Sequence, residues 1–188
     1  MPRDYSPLRL AMAFGIALAA AVPAHATGRF GPADVYARVP PIDDRGRDQL
    51  SMFNRWNPDP IGNHARNLAS VRPDLAAVVR KAQGDNPGIR FVVGSGARSE
   101  GQQRQAEAWG WSPRVHPFAR SPSLRKHLEG MAVDLWPLDE QNRVVFSPAQ
   151  QSRVAGAMMR AARDLGVRLS WGGNWRRKKD PTHFELMR

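Results

Sequence analysis

From residue 73 onward, the spacing of apolar positions alternates between helical and strand periods. Pro73 suits a first helical residue, Leu75, Val78, Val79 and Ala82 then fall on one stripe, and Gly84 closes the segment. Residues 89–93 are a short run rich in β-branched side chains, which predicts a strand, with a turn at Gly94-Ser95-Gly96. Ser99 opens a second helix, since Ser99 with Gln102 forms a capping box and Glu100 complements the first turn. Gly110 ends it. A cationic loop with Pro113, Pro117 and Pro122 follows over 111–126, then a strand over 131–136 after Gly130. Ser147-Pro148-Ala149-Gln150 starts a third helix, whose Val154, Met158, Ala161 and Leu165 share a face before Gly166 stops it. Residues 167–171 read as a strand, Gly172-Gly173 as a turn and 183–187 as a last short strand. Helices interleaved with short strands, without repeats, predict an α+β fold with a small antiparallel sheet and flanking helices.

Ahead of this pattern, residues 27–60 carry Pro32, Pro40, Pro41, Pro58 and Pro60 and no sustained period. They read as an irregular N-terminal extension, anchored by Tyr36, Met52, Phe53 and Trp56. Residues 1–26 have the layout of a secretory signal peptide: Arg3 and Arg9, an apolar run over 10–22, then Ala24-His25-Ala26. The run is too short for a comfortable membrane span. The expectation is a periplasmic or secreted protein without a stable membrane anchor, in which residues 61–188 form one domain.

Charge narrows the partners. The chain has 28 Lys and Arg against 17 Asp and Glu, a formal +11, which favours an anionic partner such as nucleic acid, a membrane surface or the cell wall. No zinc-finger spacing, aromatic RNA-binding motif or basic zipper is present, so no nucleic-acid partner is expected. Cysteine is absent, which excludes disulfides and thiolate ligands. Any metal site must use His and carboxylate, the donor set of catalytic rather than structural zinc.

Three segments carry candidate chemistry. In the first, Asp134 sits mid-strand, where a carboxylate needs compensation, and Gly130 lets the chain turn so that His127 comes back toward it. A divalent ion would satisfy both. In the second, Asp180 precedes His183 by three residues beside a strand. If His183 completed a His/Asp/His set, Asp180 would be placed as general base, although an Asp before Pro181 is also natural in a turn. Glu185 would share the face of His183 and could orient it. In the third, Arg98 precedes a helix N-terminus, where a guanidinium suits a substrate carboxylate or developing oxyanion. Trp171 and Trp175 are candidates for either the core or a substrate platform. His64 and His116 match no motif and read as structural. The Arg176-Arg177-Lys178-Lys179 run reads as a solvated face.

Taken together, Gly96-Ala-Arg98-Ser with Gln103, His127-x-x-Gly-x-Ala-x-Asp134, Trp171-Gly-Gly-Asn-Trp175 and Asp180-x-x-His183-Phe resemble the zinc D-Ala-D-Ala carboxypeptidases and dipeptidases. The L-alanyl-D-glutamate endopeptidase branch, known from phage endolysins, is the nearer match, and Val71-Arg-Pro-Asp-Leu75 resembles its first helix with Arg72 in place of His. The resemblance spans about residues 61–188. It implies the small α+β fold shared with Hedgehog-type domains, one Zn²⁺ on His127, Asp134 and His183, and Asp180 as catalytic acid/base. It further implies Arg98 as stabiliser of substrate or transition state, Gln103 and Trp171 at the substrate, and a monomer acting on a peptidoglycan stem peptide. One departure is that the family commonly has Ser two residues before the first zinc His, where this chain has Arg125. Ser123 lies two positions earlier. Cleavage of L-Ala–D-Glu is favoured by the compact C-terminal half and the Trp-Gly-Gly motif. A D-Ala-D-Ala carboxypeptidase and an inactive wall-binding module remain alternatives.

Overall fold

The computed structural model describes residues 36–38, 48–112, 125–176 and 179–187. The signal segment, most of the 111–126 loop with His116 and Ser123, and Arg177 and Lys178 lie outside them.

Four antiparallel strands form the main sheet: β2 (Phe91–Ser95), β3 (Ala132–Pro137), β5 (Leu169–Trp171) and β6 (His183–Leu186), in the order β2-β3-β6-β5. One face is covered by α3 (Pro73–Asp85) and α5 (Pro148–Asp164). Leu75, Val78 and Val79 of α3 and Val154 and Met158 of α5 pack there with Val93, Val133, Leu135 and Phe184. Alternation in β3 sends Trp136 to the other face, into a second cluster with Tyr36, Val92, Leu138 and Val144. The helices begin where the sequence signals them. Ser99 caps α4 (Glu100–Ala108) in a reciprocal box with Gln102, and Ser147 caps α5.

Two expectations need correction. The strand read over 89–93 runs instead over Phe91–Ser95, because β3 pairs through the expected turn: Ser95 lies opposite Asp134, with a register shift after Val93. The extension is also not irregular throughout. Residues Tyr36–Arg38 form β1, paired with β4 (Val144–Val145), and α1 (Gln49–Trp56) is capped by Asp48 accepting from the Ser51 N–H at 3.1 Å. Flanking prolines mask an eight-residue helix whose Phe53 and Trp56 close over the second cluster. The short helix α2 (His64–Ala69) and strand β4 were likewise beyond the apolar periodicity.

Among the described residues, the outer edge of β2 is met by side chains rather than by another strand. His64 Nδ1 accepts the Val93 N–H at 3.0 Å, Asn67 donates to the Val93 carbonyl at 2.9 Å, and Asn57 donates to the Gly94 carbonyl at 3.0 Å. These bonds satisfy groups that an open edge would leave to water or to another chain.

Candidate metal centre

Strand pairing creates the site. In the β3–β6 ladder Asp134 stands directly opposite His183, so their side chains emerge side by side on the same face of the sheet. His127 arrives from the turn ahead of β3. That turn depends on Gly130, whose φ of +65° suits glycine and where a Cβ would come within 3.2 Å of the Ser70 carbonyl oxygen. The Arg98 N–H ties the same turn down by donating to the His127 carbonyl at 3.0 Å.

His127 Nε2, His183 Nδ1 and Asp134 Oδ1 form a triangle with every side 3.3 Å. Three ligand atoms at zinc distance in tetrahedral directions would lie roughly 3.3–3.4 Å apart, so the trio fits one ion while leaving a fourth direction open. All three residues are buried. The outward ring nitrogens are taken: His127 Nδ1 lies 2.9 Å from the Gly96 carbonyl, and His183 Nε2 lies 3.1 Å from Glu185 Oε2. Each partner accepts an N–H, which leaves the inner nitrogen with its lone pair for a metal. Glu185 thus makes the contact that strand alternation predicts.

Electrostatics tell the same story. Burial would raise the Asp134 carboxyl, but the neighbouring His127 and Arg98 and the hydrogen bonds hold it well below the usual carboxylate range. Burial, helped by the Arg98 charge, pushes His127 down. Burial would lower His183 too, yet its bonds to Asp134 and Glu185 raise it to about 9.

Around the trio, Arg98 has a nearly buried side chain and commits three of its five N–H donors. It donates from Nη2 to Asp134 Oδ2 at 2.5 Å, from Nε to Ser95 Oγ at 3.2 Å and from Nη1 to Gln103 Oε1 at 3.5 Å, and it sits over the Trp56 ring at 5.2 Å. Its first observed role is therefore to orient Asp134, with two N–H donors left for a ligand. Gln103 is buried and donates to Ser112 Oγ at 2.9 Å. The turn that carries Asp180 closes through the His183 N–H onto the Asp180 carbonyl at 3.2 Å. Asp180 Oδ1 accepts from the Thr182 hydroxyl at 2.8 Å and from its N–H at 3.3 Å, which leaves Oδ2 for a proton among the described residues. Arg98, Gln103, His127, Asp180 and His183 line one cavity of about 340 Å³, and Asp134 faces an adjoining one.

Trp171 is not at this cavity. It stacks on core Phe184 and donates from Nε1 to the Pro181 carbonyl at 2.8 Å, so it braces the Asp180–His183 turn. The sheet's pleat turns it toward Phe184, and the tryptophan that faces the trio is Trp175, 5.0 Å from the His183 ring. Lys126 was missed by motif reading, yet it is buried beside His127, lines the cavity and donates to the Leu186 carbonyl. Arg125, in the position of the family's Ser, is exposed and pairs with Glu129 at 3.7 Å.

The sequence model of the phage L-alanyl-D-glutamate peptidase family matches residues 62–186. The L-alanyl-D-glutamate peptidase of Escherichia phage T5 is 30% identical over 131 residues, covering 67% of this chain and 87% of its own. The crystal structure of the Serratia marcescens L-Ala D-Glu endopeptidase ChiX is 31% identical, with a TM-score of 0.57 over 70% of this chain and 93% of that one.

Proposed function

The chain belongs to the phage L-alanyl-D-glutamate peptidase family, and from that premise we propose that this peptidase uses one Zn²⁺ to hydrolyse the L-Ala–D-Glu bond of peptidoglycan stem peptides. The observation that carries the reading is the 3.3 Å triangle of His127 Nε2, His183 Nδ1 and Asp134 Oδ1. A bound zinc ion would supply Lewis acidity at that triangle.

The chain's own residues handle the protons. Asp180, held through Oδ1 by Thr182, takes a proton from the attacking water on Oδ2. Hydroxide adds to the scissile carbonyl carbon, the C–N bond breaks, and Asp180 returns the proton to the departing amine of D-Glu. Arg98 keeps Asp134 in register and offers its two spare donors to an anionic oxygen in the cavity.

Digestion of purified peptidoglycan, followed by mass spectrometry, tests the reading. The expected product is a stem with a new amino-terminal D-Glu, lost after chelation and lowered by about two or more orders of magnitude in Asp180→Ala with zinc content unchanged. Release of single D-Ala would point to the carboxypeptidase cut instead, and no product from folded, zinc-loaded protein on several wall types would overturn the enzymatic assignment. Export follows from residues 1–26 in the same reading. Sequencing the amino terminus of the exported protein should then begin at Thr27.

A further inference from the structure

Two cavities meet at Arg98, Trp111 and Asp180, and each adds residues of its own. The first, of about 340 Å³, brings Gln103, Ser112 and the buried Lys126 beside Arg98, with Trp111, Trp175, Asp180 and Glu185 completing its wall. The Lys126 ammonium donates to the Leu186 carbonyl, which leaves donors over for an anion. The second, of about 240 Å³, is aromatic: Phe53, Trp56, Trp111, Trp136 and Phe146 line it, with Lys179 beside them. Trp136 is buried as its floor, whereas Phe53, Trp56, Trp111 and Phe146 are only partly buried. The Phe53 ring packs tilted against Trp111 and Phe146, with centroids 4.8 Å and 4.6 Å away, so the rings hold one another in place.

The proposed substrate is asymmetric in the same way. On the carboxyl side of the L-Ala–D-Glu bond lies a residue with a free carboxylate. On the amino side there is one alanine, then the lactyl amide of an N-acylated muramic acid sugar. The spare donors of Arg98 and Lys126 suit the first, and aromatic faces suit the apolar face of a sugar ring.

We propose that the aromatic cavity is a subsite for the muramoyl sugar, so that the chain prefers stems still attached to glycan, and that the Lys126 side receives the D-Glu carboxylate. This rests on the functional reading above. Gln49, Phe53 and Trp56 come from α1, ahead of the residues 62–186 matched by the family.

The test is direct binding followed by intrinsic tryptophan fluorescence, since Trp56, Trp111 and Trp136 report from the cavity itself. N-acetylmuramoyl-L-alanine and N-acetyl-L-alanine share the alanine carboxylate and differ by the sugar. The sugar compound should bind the zinc-loaded protein about tenfold or more tightly, an advantage that falls to about threefold or less in both Phe146→Ala and the gentler Phe146→Leu. Equal affinities in the native protein, or an advantage untouched in folded Phe146 variants, would overturn the proposal. Peptidoglycan digestion keeps the two ideas apart. Sugar-dependent binding without L-Ala–D-Glu cleavage would refute the functional reading and leave the subsite standing.

Discussion

At the scale of single residues, the site is held by partners one step behind the ligands. Glu185 takes the Nε2–H of His183 at 3.1 Å and so decides which ring nitrogen faces the trio. Glu185→Gln keeps the shape but loses the charge, and should weaken zinc binding about 10–100-fold, read by competition with a coloured chelator. His64 offers a pH test away from the metal. Its Nδ1 accepts the Val93 N–H, and burial lowers its pKa below the ordinary value, so the unfolded chain takes up the proton first. Its contribution is therefore complete above about pH 6.5 and is lost as pH falls through the depressed folded value. Denaturant melts between pH 7 and pH 5 should show a shallower loss of stability in His64→Asn than in the native protein.

At the scale of elements, the Asp180–His183 turn and the 3-10 turn at Gly172–Asn174 are built against each other. A Cβ on Gly172 would sit 2.5 Å from the Asp180 carbonyl and 3.2 Å from the His183 Cβ. Gly172→Ala must displace Asp180 and His183, the proposed general base and zinc ligand, together. A shift near 1 Å at reacting groups costs about 10²-fold, so kcat/KM on muropeptides should fall by that order while α3 and α5, packed on the opposite face, keep the helical circular dichroism. Trp171→Phe is milder: the ring can still stack on Phe184, but the bond to the Pro181 carbonyl is gone.

At the scale of the whole molecule, α1 makes the N-terminal segment part of the enzyme. Met52 is buried, Phe53 packs between Trp111, Trp136 and Phe146, and Asn57 closes the β2 edge. Met52 and Phe53 alone contribute about 4 kcal/mol by burial. A chain begun at Gly62 should therefore melt roughly 10 °C below one begun at Thr27, as read by calorimetry. Among the described residues no helix is long and apolar enough to cross a membrane.

The local code of this chain is strong wherever a signal lies within a few residues. Pro73, the Ser99/Gln102 box and Ser147 mark the helix starts, and the spacings of His127 to Asp134 and of Asp180 to His183 mark the chemistry. What no spacing contains is the pairing of β3 with β6, which sets Asp134 opposite His183 across 49 residues, and the packing of α1 over Trp136. Arg98 as the partner of Asp134, Lys126 in the cavity and Trp171 turned to the core follow from those contacts alone. Ladder register and aromatic packing are settled between distant segments, by which faces can be buried together, and the order of residues along the chain carries that only once it is folded.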